Sequence, residues 1–83
     1  MMMIDLKRGL VSGEGVRFRL AGDDLMAHHK NRAIDLVGPD YRAILVLGEG
    51  TLRTPQGPRD LPGEGYHVHV EGSTLLLRDR AAR

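Results

Sequence analysis

Between residues 16 and 20 apolar and charged side chains take turns along the chain. Val16, Phe18 and Leu20 fall on one side, Arg17 and Arg19 on the other. A period of two is that of a β-strand with one covered face. The pattern recurs further on, where Tyr66, Val68 and Val70 face one way and His67, His69 and Glu71 the other. Ala43 to Leu47 and Leu75 to Leu77 are unbroken apolar runs, which read as strands covered on both faces and central in the core. Between these segments stand Gly13-Glu14-Gly15, Gly22-Asp23-Asp24, Gly38-Pro39-Asp40, Gly48-Glu49-Gly50, Pro55-Gln56-Gly57-Pro58, Pro62-Gly63-Glu64-Gly65 and Gly72-Ser73. Glycine, proline and aspartate in such clusters are turn signals. The pattern predicts one all-β domain over residues 1–83, an antiparallel barrel or sandwich of six to nine short strands. Its expected core is Val16, Phe18, Leu20, Ile44, Val46, Val68, Val70 and Leu76.

Two details bear on this reading. Asp23 could cap a short helix running to Ile34, with Leu25, Met26, Ala27, Ala33 and Ile34 as its stripe; strand and loop are preferred there. Gly-Glu-Gly occurs three times, at 13–15, 48–50 and 63–65, each ahead of a strand. The spacings, 35 and 15 residues, are unequal. This is the pattern of a favoured turn used repeatedly and not of a tandem repeat.

Composition narrows the functional classes. The chain has 83 residues and no cysteine, so it has neither a disulfide nor a thiolate metal site. Its net charge of +1 gives no global pull on nucleic acid or a membrane surface. No apolar stretch approaches the roughly 20 residues of a membrane span. A cytoplasmic protein is expected. A domain of this size buries little surface for its length, which favours self-association. Met1 to Leu6 and Leu75 to Leu77 are the segments expected to extend a neighbour's sheet.

His67, His69 and Glu71 share one strand face, and imidazole with carboxylate suits a divalent metal such as zinc or nickel. One residue of the His28-His29 pair would have to complete the set, with His28 taken as the candidate. As a solvated face opposite Val68 and Val70, the same residues need no ligand, and no cofactor is the preferred expectation. Arg17 and Arg19 are candidates for an anion patch. Aromatic residues for stacking bases are few, so nucleic acid is a disfavoured partner and a small-molecule ligand the more open one. Asp23, Asp24 and Asp60 sit where aspartate caps turns. Ser12 and Ser73 lie at turns without a neighbouring base.

From Tyr41 to Arg78 the chain resembles the cupin superfamily of small jelly-roll barrels. The matching pieces are Ala43 to Leu47, Gly48-Glu49-Gly50-Thr51-Leu52, the turn at Pro55 to Pro58, Leu61-Pro62-Gly63-Glu64 and the strand from Tyr66. The resemblance implies a barrel. The places of that family's metal ligands hold Tyr41, residues near Ile34 to Val37, and Thr74, none a histidine. It therefore implies a metal-free relative. The length, Gly15-Val16, His28-His29 and Ala43-Ile44 with Gly48, Thr54 and Gly57 resemble the ring-forming tryptophan-activated RNA-binding attenuation family. That family's lysine and arginine RNA contacts have no clear counterpart. The leading expectation is a non-catalytic binding or assembly module. A metal-dependent mini-cupin enzyme and an RNA- or anion-binding ring are the alternatives.

Overall fold

The computed structural model describes residues 1–81. Ten strands form two antiparallel five-stranded sheets, and there is no helix among the described residues. In chain order they are β1 (Met2–Asp5), β2 (Leu10–Gly13), β3 (Val16–Arg19), β4 (Met26–Lys30), β5 (Ala33–Gly38), β6 (Tyr41–Val46), β7 (Thr51–Thr54), β8 (Gly57–Asp60), β9 (Tyr66–Glu71) and β10 (Thr74–Asp79). The first sheet runs β3-β2-β1-β10-β9 and the second β4-β5-β6-β7-β8. Buried side chains of both sheets join in one apolar cluster, so the molecule is a β-sandwich. The segment Asp23 to Ile34 is loop followed by β4, a turn and the start of β5; its apolar residues pack as strand residues.

In β6 and β10 the face that turns inward differs from expectation. The inner residues of β6 are Ala43 and Leu45, followed by Leu47, and those of β10 are Leu75 and Leu77. Ile44, Val46 and Leu76 lie on the outer faces, and Val70 is 58% exposed. Leu20 is buried, while Val16, Phe18 and Val68 pack at the margin of the core. The cause lies in the neighbouring strands. Ile44 pairs with Asp35 and Leu45 with Ile34. Turning Ile44 inward would carry the Asp35 carboxylate into the core, at a cost of several kcal/mol for an unpaired charge. Leu76 likewise pairs with His69, and Met3, its neighbour on the other side, with Ser12. A continuous apolar run does not fix its own face; its partners do.

Met1 to Leu6 and Leu75 to Leu77 are also placed differently. β1 is central in its sheet, between β2 and β10, and β10 lies between β1 and β9. Both sides of these strands are hydrogen-bonded within the chain, so neither offers an edge. The edges are β3, β9, β4 and β8.

The sandwich is built from one unit used twice. Leu6 corresponds to Leu47, Gly9 to Gly50, Leu20 to Leu61, Gly22 to Gly63, His28 to His69 and Leu36 to Leu77, each pair 41 positions apart. Every residue of the buried apolar cluster has its counterpart at this step, and the counterpart is also in the cluster: Met2 with Ala43, Ile4 with Leu45, Val11 with Leu52, Leu25 with Tyr66 and Ile34 with Leu75 complete the set. Replacing β1 by β6, β2 by β7, β3 by β8, β9 by β4 and β10 by β5 turns the first sheet order into the second. Hydrogen bonds outside the ladders obey the same rule. Leu20 N–H donates to the Gly9 carbonyl at 2.7 Å and Leu61 N–H to that of Gly50 at 2.8 Å. Leu25 N–H donates to the Leu6 carbonyl at 2.9 Å and Tyr66 N–H to that of Leu47 at 2.8 Å. The unequal Gly-Glu-Gly spacing concealed a true repeat. Its shared elements are a leucine three residues before one glycine and a leucine two before another.

Each unit gives three strands to one sheet and two to the other. The units are therefore interlocked, with the β1–β10 and β5–β6 ladders as their two seams.

Candidate functional site

A strict repeat would give the sandwich two equivalent clefts, one for each unit's crossing strand. One of them carries a rim of histidines and arginines. It has a volume of about 360 Å³ and lies where the edge strands β4 and β9 face each other. Its floor is apolar, from Leu47, Tyr66 and Val68. Its ionisable rim is His29 from β4, Arg32 from the β4–β5 turn, His67 from β9, and Arg80 just beyond β10. Asn31 and Gly48 complete the wall. Left-handed backbone at Asn31 (φ 52°) closes the β4–β5 turn, as Gly72 (φ 62°) does at the equivalent β9–β10 turn. Asparagine tolerates this conformation better than most residues.

No carboxylate of the described residues lines this cleft. Neither arginine is held in an ion pair among the described residues. The Tyr66 ring is buried, and its hydroxyl accepts a hydrogen bond from Gly63 N–H at 2.6 Å. Burial pushes the phenol above its usual range, helped by the charges of Asp79 and Glu14 and opposed by that hydrogen bond. Tyr66 is thus a neutral phenol that shapes the floor.

The counterparts of the rim residues share none of this chemistry. His29 matches Val70, Arg32 matches Ser73, His67 matches Met26 and Arg80 matches Pro39. Met26 and Val70 are 63% and 58% exposed. The core is repeated position by position while the rim is not, so the rim's composition is not dictated by the fold.

The residues singled out from sequence are dispersed. His67 and His69 point outward from the first sheet, and His28, beside Asp35, outward from the second. The structure does not bring the three together, and no group of three metal-ligating side chains converges among the described residues. His67 alone of them borders the cleft. Arg17 and Arg19 share the exposed outer face of the edge strand β3, as alternation required, opposite Ser12 and Leu10. The arginine that does meet an aromatic ring is Arg59, whose guanidinium lies 3.8 Å from the Phe18 centroid and bridges edges β8 and β3. Sequence reasoning named His29 only as the alternative to His28 for a metal, and missed Arg32 and Arg80. The two arginines come from separate segments with no motif spacing, and only the 41-residue step marks them as departures from their counterparts.

Comparison with known protein families, with curated proteins and with solved structures finds no match to the chain. No helix of the structure is long and apolar enough to cross a membrane.

Proposed function

We propose that this chain is a non-catalytic binding module whose ligand site is the cleft between β4 and β9. The observation that carries the reading is the broken repeat: a doubled scaffold keeps its core in both units, but the two histidines and two arginines that rim a concave cleft at one crossing are not repeated at the other. At about 360 Å³ the cleft lies at the small end of the range for small-molecule sites. Its lining offers binding groups and no nucleophile paired with a base.

The other readings draw less support. A metal-dependent enzyme needs His67, His69 and His28 on one side of the molecule, and they project from different sheets. An RNA-binding ring needs exposed rings for stacking. Phe18 lies under Arg59, and Tyr66 is 3% exposed. The cupin likeness rests on turns at 48–50 and 62–65, which the internal repeat explains without it. Assembly of copies, the remaining part of the reading, would run through edges β3, β4, β8 or β9.

The test is a screen of small-molecule fragments by amide chemical shift. Binders are expected to move Asn31, Arg32, Gly48, His67 and Val68 together. Shifts confined to the outer face of β9 and β10 would overturn the assignment. Stoichiometric zinc or nickel binding that is lost in His67→Ala/His69→Ala would replace it with the metal-dependent reading.

A further inference from the structure

We infer that the ligand of the β4–β9 cleft is a small organic oxyanion, its phosphate or carboxylate held by Arg32 and Arg80 and its apolar body resting on Leu47, Tyr66 and Val68. This rests on the cleft being the ligand site and adds the chemical class.

Charge is the first ground. The chain as a whole is nearly balanced, with 12 lysines and arginines against 11 acidic residues. An unselected patch of its surface would mix both signs. The cleft does not: among the described residues two guanidiniums and two imidazoles border it, and no carboxylate. A concave site of one sign concentrates counter-ions far beyond what net charge suggests.

The second ground is that these arginines are free. Some basic groups of the chain are engaged, since Arg42 and Lys30 bind Asp35, Arg8 approaches Asp5 and Arg59 covers Phe18, while Arg17 and Arg19 are, among the described residues, as unpaired as the cleft's two arginines but lie on an open strand face. Arg32 and Arg80 have no such partner among the described residues. A planar guanidinium presents paired N–H donors matched to two oxygens of a phosphate or carboxylate, and two of them can clamp one group. Arg80 also borders a second depression, lined with Glu64, Gly65 and Ala81.

The repeat supplies the third ground. Had the fold required basic residues at this crossing, the other unit would carry them too. Its equivalents of Arg32 and Arg80 are Ser73 and Pro39. The equivalents of the two histidines are the exposed Met26 and Val70. The molecule thus contains its own comparison site, alike in backbone and without the two arginines and two histidines, its one basic residue at these positions being Lys7 in the place of Gly48.

The size and floor of the cleft select among anions. Leu47 and Tyr66 are buried and apolar beneath the basic rim. An inorganic ion would leave that floor wet, whereas an organic phosphate or carboxylate of roughly ten non-hydrogen atoms would cover it.

The experiment uses phenyl phosphate, with phenol and benzylamine as neutral and cationic probes of the same shape. Phenyl phosphate should shift the amides of Arg32, Gly48, His67 and Val68. Arg32→Ser and Arg80→Ala, the first copied from the other unit, should each weaken it at least about tenfold, as expected for losing a charge-assisted hydrogen bond. Arg17→Ala should not change it. All three arginines are exposed, so the variants should keep the wild-type melting temperature. If phenol or benzylamine moves these amides and phenyl phosphate does not, the cleft stands as a ligand site and the oxyanion class falls. If phenyl phosphate binds with unchanged affinity to both cleft variants, or fails to move these amides, the inference is overturned.

Discussion

Asp35 is the one buried charged residue among the described residues, and it shows how a single side chain sets a strand's orientation. It sits in β5 between Ile34 and Leu36, both in the core, and so faces outward. Arg42 donates to its carboxylate at 3.0 Å, and Lys30 lies 3.5 Å away. Burial works to raise the carboxyl's pKa, but the hydrogen bond and charge of Arg42, with those of Lys30, outweigh it and hold it below the usual 3.8. A lowered folded-state pKa means stability that is complete above 3.8 and is lost as pH falls through the folded value. Arg42 and Lys30 are mostly exposed, so water screens the pair and the effect is modest. Denaturant midpoints of the wild type and Asp35→Asn should therefore differ at about pH 6 and converge toward about pH 2. A gap that stays constant over that range would show that the Asp35 charge contributes no stability.

At the scale of elements, the turns were readable and the faces only partly so. Every glycine and proline cluster falls at or beside a connection between strands, because positive φ and fixed φ are local requirements that local sequence must meet. Alternating strands such as β3 showed which face turns inward; the uninterrupted runs in β6 and β10 did not, because nothing in Ala43 to Leu47 distinguishes Ile44 from Leu45. That choice depends on Asp35 in the adjacent strand, a non-local fact. The cleft was less legible still: His67 stood out through its alternation, but Arg32 and Arg80 acquire meaning only when the β4–β5 turn meets the end of β10.

The repeated unit makes a further prediction at this scale. Gly9 and Gly50 both have left-handed backbone, φ 64° and 65°. A Cβ on Gly9 would run into the Gly22 carbonyl oxygen, and one on Gly50 into that of Gly63. Strain and collision act together, so Gly9→Ala and Gly50→Ala should each cost more than about 2 kcal/mol, in similar amount. Gly48→Ala, with open space around it and no positive φ, should change stability by no more than about 0.5 kcal/mol. Chemical denaturation of the three variants decides it. A loss at Gly9 or Gly50 no larger than at Gly48 would mean the close approach of these turns is not needed.

For the whole molecule, the two seams between units should be interchangeable. One seam, β5–β6, is closed by the turn at Pro39-Asp40; the other, β1–β10, joins the same pair of strand types without a covalent link. Met2 pairs with Leu77 across the open seam much as Ala43 pairs with Leu36 across the closed one. Opening the chain between Pro39 and Asp40, and joining residue 81 to Met1 through one or two glycines, exchanges the seams and leaves every strand pair intact. The join removes the ion pair between the Met1 amino group and Glu14, which is exposed and contributes little. The entropy of closing a short loop at one seam is offset by opening one at the other. The permuted chain is therefore expected to fold to the same sandwich, with the wild-type β-sheet circular dichroism and amide shifts that differ only near residues 39–40 and 81–1. Its melting temperature should fall by a few degrees at most, since a stability change of about 1 kcal/mol corresponds to roughly 4–8 °C in a domain this small. A permutant that stays unfolded would show that the β5–β6 hairpin is indispensable and that the two units, though matched residue by residue in the core, are not equivalent in holding the molecule together.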